Sequence, residues 1–126
     1  MNKAFKPTES ELEILSILWE KGSATVREVH EDIQQTKDVG YTTTLKLMQI
    51  MHEKGLVSRD ESSKTHIYIP CFEKEKAQEQ YVGKMIKTLF SGSTSQLVMQ
   101  ALGNHKASQE DLSEIKQLIE SLEKRK

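Results

Sequence analysis

The sequence predicts a mainly α fold with a small β-hairpin. Three observations carry this reading: two capping boxes ahead of apolar stripes at helical spacing, a third such stripe closed by a Lys-Gly pair, and a change to strand period after Gly55. In the first helix Thr8 is the capping residue and Glu11 follows three positions later. Leu12, Leu15 and Trp19, with Ile14, Ile17 and Leu18, then make a wide apolar face. Lys21-Gly22 ends that helix, because a cation suits its negative end and glycine accepts a left-handed cap. Thr25 and Glu28 repeat the capping box for a short second helix with Val26, Val29 and Ile33 facing inward, which stops in the polar stretch from Gln34 to Asp38. Gly40 precedes a third helix starting near Tyr41 or Thr42. Its core positions are Leu47, Ile50 and Met51, with Leu45 and Met48 beside them, and Lys54-Gly55 closes it.

After Gly55, Leu56 to Arg59 and Thr65 to Ile69 read as two strands joined by the polar turn Asp60 to Lys64. Pro70 ends the second strand, having no N–H to give a ladder. Three short helices and then a hairpin is the order of a winged helix-turn-helix, assigned to residues 1–71. Residues 72–126 are assigned to a helical dimerisation region. A helix over 73–90 is followed by an interruption at Ser91-Gly92-Ser93, a short helix from Leu97 to Leu102, a second interruption at Gly103-Asn104-His105, and a final helix capped by Ser108 with Asp111 three residues on. Tyr81, Val82, Met85, Leu89, Phe90, Leu97, Val98, Leu112, Ile115, Ile119 and Leu122 are the apolar residues expected to meet each other and a second copy, since such short helices do not bury their stripes alone.

Composition narrows the function classes. At 36% hydrophobic and 29% charged the chain has a globular rather than a disordered balance. No run approaches the roughly 18 apolar residues of a membrane span, and the start MNKAFKPTESELE has no signal-type apolar core, so a cytoplasmic protein without membrane insertion is expected. A single cysteine, Cys71, excludes an intrachain disulfide, and no cofactor or metal is expected. An enzyme is not expected either: His30, His52, His66 and His105 are scattered, and as surface or hairpin residues they lack a catalytic context.

In a helix-turn-helix the second helix of the pair enters the major groove by its N-terminal part. Thr42, Thr43 and Thr44 occupy that first turn, where free N–H groups, the positive helix end and hydroxyls suit phosphates or base edges. The plainer alternative for Thr42 and Thr43 is helix capping. Tyr41 either stacks on the sugar-phosphate or packs on the domain. Lys46 lies one turn on, Gln49 is a second-tier groove contact or a solvated residue, and Lys54, Arg59, Lys64 and His66 lie where a wing can grip the flanking backbone, the plainer alternative for such charges being solvated surface. The net charge of −1 argues against nucleic acid, but the acids concentrate in the first two helices, and residues 41–71 have Lys46, Lys54, Arg59 and Lys64 against Glu53, Asp60 and Glu61. Each phosphate neutralised there adds salt-dependent affinity.

The stretch from Tyr41 to Val57, YTTTLKLMQIMHEKGLV, resembles the recognition helix and following strand of the penicillinase repressor family, the BlaI and MecI type. Leu12 to Trp19 is similar to that family's first helix, and Leu89 to Met99 to the start of its dimerisation region. The resemblance implies a homodimeric repressor on palindromic operator DNA, with contacts at Thr42 and Thr43. Several members have Arg or Lys at the position of Leu45 and Arg at that of Ile50, whereas this chain places a lysine at Lys46. It also implies, for antibiotic-responsive members, cleavage through a membrane sensor protease; the cleavable Asn-Phe bond falls here on Gln100-Ala101, which a protease selecting those side chains does not necessarily accept. Copper-responsive relatives have cysteines in a C-terminal tail, and this chain has none beyond Cys71. The competing reading is a winged helix used for protein contact without DNA, supported by the acidic first two helices.

Overall fold

A computed structural model describes residues 7–125. They divide into two compact units, one up to Glu79 and one from Gln80 onward. The first unit holds α1 (Glu9–Lys21), α2 (Val26–Ile33), α3 (Tyr41–Lys54), β1 (Val57–Asp60), β2 (Ile67–Pro70) and the start of α4 (Lys74–Leu89).

Both expected capping boxes are present. The Thr8 hydroxyl accepts the Glu11 N–H at 3.2 Å while the Glu11 carboxylate accepts the Thr8 N–H at 2.9 Å, and Thr25 and Glu28 repeat the exchange at 3.1 and 2.8 Å. Glycine ends α3 as expected: Gly55 adopts φ +82°, in the left-handed region that a side chain would strain.

Helical spacing decides which residues are buried. Ile14, Leu15 and Leu18 of α1, Val26, Val29 and Ile33 of α2, and Met48 and Met51 of α3 meet Leu56, Val57 and Tyr68 in one core. The Trp19 indole N–H donates to the Phe72 carbonyl at 2.8 Å and ties α1 to the chain beyond the hairpin.

The hairpin is antiparallel, with Val57 opposite Pro70 and Arg59 opposite Tyr68. Strand alternation sends Val57 and Tyr68 into the core and leaves Ser58, Asp60, Ile67 and Ile69 outside. Leu56, Thr65 and His66, expected within the strands, lie just outside them, and Asp60, expected in the turn, ends β1. One pairing has no signature in the strand pattern: Ala24, before α2, exchanges backbone hydrogen bonds of 3.0 and 2.8 Å with Tyr68. It fastens the hairpin to the helix-turn-helix.

The second unit contains the rest of α4, α5 (Thr94–Asn104) and α6 (Gln109–Lys124). Ser108 and Asp111 form the expected reciprocal cap of α6. Helix α5 outruns the expected Leu97–Leu102 at both ends: Ser93 caps it, and it passes through Gly103 to Asn104, whose amide bonds back to Gln100. No described residue of α5 or α6 is buried. Val82, Met85, Leu89, Val98, Leu112, Ile119 and Leu122 are exposed, while Tyr81, Phe90, Leu97 and Ile115 are half-buried. No helix of the described residues is long and apolar enough to cross a membrane.

Candidate nucleic-acid interface

Helix α3 is divided along its length. Thr44, Met48 and Met51 recur at helical spacing on the buried side, and Thr42, Lys46, Gln49 and Glu53 share the exposed side. The exposed side therefore presents a hydroxyl, an ammonium and an amide in succession, the group types that bond to base edges and phosphates. Glu53 adds a carboxylate at the far end. Thr43 is exposed beside this face.

Between α3, the start of α2 and the hairpin lies an open cleft of about 480 Å³. It gathers Tyr41, Gln49, Arg59, Lys64 and His66, and adds Thr25, Arg27 and Thr65. Arg59 is placed by the hairpin register: opposite Tyr68, it lies over that ring at 5.9 Å and donates to the Tyr68 hydroxyl at 3.4 Å and to Glu61 at 2.7 Å. The guanidinium holds the Glu61 carboxyl below its ordinary range, and the Ser62 N–H does the same for Asp60. Both hairpin-tip acids are thus engaged, and Arg27 and Lys64 supply further positive charge to the same cleft.

Two residues expected at the interface are turned away from it. Thr44 is 1% exposed, and its hydroxyl lies 2.9 Å from the His30 ring nitrogen Nδ1. Its first-turn position is right for a groove contact, but it sits on the same side of the helix as Met48 and Met51 and so faces the core. Lys54 reaches back to α1, where its ammonium lies 2.9 Å from both oxygens of Glu11, itself 2% exposed. It there neutralises a buried carboxylate of α1. The capping alternative for Thr42 and Thr43 also fails, because α3 starts from Gly40 with no side-chain cap. His30, expected at the surface, is buried against Thr44 and Tyr41.

The model of the family described as penicillinase repressor matches residues 7–121. The chain belongs to the penicillinase repressor family. Among relatives, "Methicillin resistance regulatory protein MecI" of Staphylococcus aureus (strain N315) is 24% identical, covering 94% of this chain and 96% of its own length. "Penicillinase repressor" of Bacillus licheniformis is 21% identical over all of this chain and 98% of its own. The solved structure described as "Solution structure of the DNA binding domain of the repressor BlaI" matches 60% of this chain and 93% of its own with a TM-score of 0.53 at 20% identity, and so shares the fold. The winged helix-turn-helix expected from the element order is therefore the observed architecture.

In this penicillinase repressor family member, Thr25, Arg27 and Thr65 line the cleft without having been expected there from the sequence. A signal for Arg27 existed. Helix dipoles favour acids in the first turn and cations in the last, yet Arg27 is the second residue of a helix otherwise rich in acids. That placement against the dipole is the feature of the sequence that sets Arg27 apart.

Proposed function

We propose that the chain represses transcription by laying α3 in the major groove of operator DNA while the hairpin and the start of α2 hold the adjoining backbone. The family is one of transcriptional repressors, and the observation that carries this placement is the exposed Thr42, Lys46 and Gln49 face beside a cleft lined by Arg27, Arg59, Lys64 and His66. The local arrangement answers the net charge of −1: Glu11 and Glu28 are engaged in caps and Glu13 and Asp32 in ion pairs with Lys37 and Lys21, while cations collect at the cleft. A winged helix used for protein contact alone is not favoured by the family.

The repressor acts in the cytoplasm as a homodimer on a palindrome. The exposed apolar residues Val82, Met85, Leu89, Leu112, Ile119 and Leu122 support a second copy as the partner of the second unit. Two recognition helices would then read half-sites about one helical turn, roughly 10 base pairs, apart. Release by a membrane sensor protease, implied by the family resemblance, falls on Gln100-Ala101; both are exposed, but the bond lies within α5. A protease would have to unwind that turn.

Selection of bound sequences from random duplex, followed by mobility shift of the enriched fragment across a salt series, tests the proposal. The expected result is a palindrome whose band weakens steeply with salt. Enrichment of no sequence, with no retardation at micromolar protein and low salt, overturns it.

A further inference from the structure

Helices α1, α2, α5 and α6 each start from a Thr or Ser whose hydroxyl accepts a first-turn N–H. Helix α3 starts from Gly40 without such a bond. Its entry is instead gripped from the side. His30, in the last turn of α2, places Nδ1 2.9 Å from the Thr44 hydroxyl, and its ring meets the Tyr41 ring edge-on, with centroids 5.6 Å apart and planes at 84°. His30 and Thr44 are 8% and 1% exposed, whereas Tyr41 is 44% exposed and lines the cleft. One buried imidazole therefore links the bracing helix both to the inward hydroxyl and to the outward phenol of the first turn.

The geometry points to His30 as a positioning residue for DNA recognition, fixing the first turn of α3 and with it the presentation of Tyr41, Thr42 and Thr43. This rests on α3 being the DNA-contacting helix. Without a cap, the first turn of a helix frays readily, since its leading N–H groups have no internal partner. A helix start that is correctly placed only part of the time binds in proportion to that fraction. An apolar side chain at position 30 would fill the same space but take away the partner that joins the Thr44 hydroxyl to α2.

The test compares the full chain with His30→Phe and Thr44→Val, which remove the polar link while keeping bulk, and with His30→Asn and Thr44→Ser, which keep a polar atom near the same place. Each variant is melted thermally. Each is then measured for binding to the selected operator and to unrelated duplex, for the chemical shift of isotope-labelled Tyr41, and for amide exchange at residues 42–44. We expect His30→Phe and Thr44→Val to lose roughly two- to tenfold in operator affinity per recognition helix, with binding to unrelated duplex unchanged. Exchange at residues 42–44 should quicken in both and the Tyr41 signal should move in Thr44→Val; the two conservative variants should recover affinity and exchange, and Thr44→Ser, which leaves the imidazole in place, should recover the Tyr41 signal as well. Wild-type affinity and exchange in His30→Phe overturn the inference, as does a loss that follows melting temperature across all variants with no recovery. If His30→Phe does not fold, the Thr44→Val and Thr44→Ser pair decides. Should the wild-type chain retard no duplex, the DNA reading fails, and exchange and the Tyr41 shift still determine whether His30 fixes the helix start.

Discussion

Replacing Lys54 with methionine removes an ammonium while keeping most of the stem, and leaves the Glu11 carboxylate buried with, among the described residues, the N–H of the capping Thr8 as its remaining donor. Breaking a buried pair by deleting one partner costs about 3–5 kcal/mol. Lys54 is 26% exposed, so water reaches that side of the pair, and a loss of about 2–3 kcal/mol is expected. In a unit of this size each kcal/mol moves the melting temperature by about 4–8 °C, so the midpoint should fall by roughly 10–20 °C. Adding Glu11→Gln to that variant removes the stranded charge and should return part of the loss. Melting followed by circular dichroism measures both. The same variant at a temperature where it is folded should keep the wild-type slope of log affinity against log salt, because every phosphate keeps its cation. A midpoint within roughly 2 °C of wild type, together with a slope shallower by about 0.9, would place Lys54 on DNA and refute the reasoning.

Lys46→Ala should behave in the opposite way, with an unchanged melt and a lowered operator affinity, the salt slope falling by about 0.9 for each subunit whose ammonium no longer neutralises a phosphate; unchanged binding removes Lys46 from the interface. Arg27→Ala should likewise flatten the salt slope without disturbing α2, whose cap is supplied by Thr25, whereas Thr25→Ala should cost about 1 kcal/mol of stability through the broken capping box, read from the melt. The hairpin-tip acids give a pH prediction. Their folded values are depressed by Ser62 and Arg59, so their contribution to stability is fully present above the ordinary carboxylate value, about pH 4, and is lost as pH falls through the depressed folded values. Carboxyl signals of Asp60 and Glu61 that titrate at or above the ordinary value would contradict it. Sedimentation at tens of micromolar should give a dimer, and a monomer there would leave the exposed apolar face of the second unit unexplained.

Much of the fold was legible because it is written in local rules. A capping residue with a glutamate three places on, an apolar stripe at spacings of three and four, and a glycine after a lysine each act within one turn of chain, and Thr8, Thr25, Gly55 and Ser108 behave as such rules require. The family resemblance in the third helix rested on the same contiguous stretch. At the candidate interface, Lys46, Gln49, Arg59 and Lys64 could be named from position along the chain, and the structure leaves Lys46, Gln49 and Lys64 exposed.

What the sequence by itself determined, then, was the order and type of the elements and the residues available at the start of the third helix. Only the tertiary structure decided which way each of them faces and what meets it. Thr42 and Thr44 are two positions apart and chemically identical, yet helical pitch turns one to solvent and the other against His30. Lys54 and Arg59 read alike as cations near the wing, but a carboxylate 43 positions earlier in the chain claims the first. Arg27 joins the cleft because the Ala24 and Tyr68 backbones pair and draw the hairpin to the start of α2. Such long-range partners leave no periodic trace, since a side chain's spacing reports its own helix or strand and carries no information about what packs across from it.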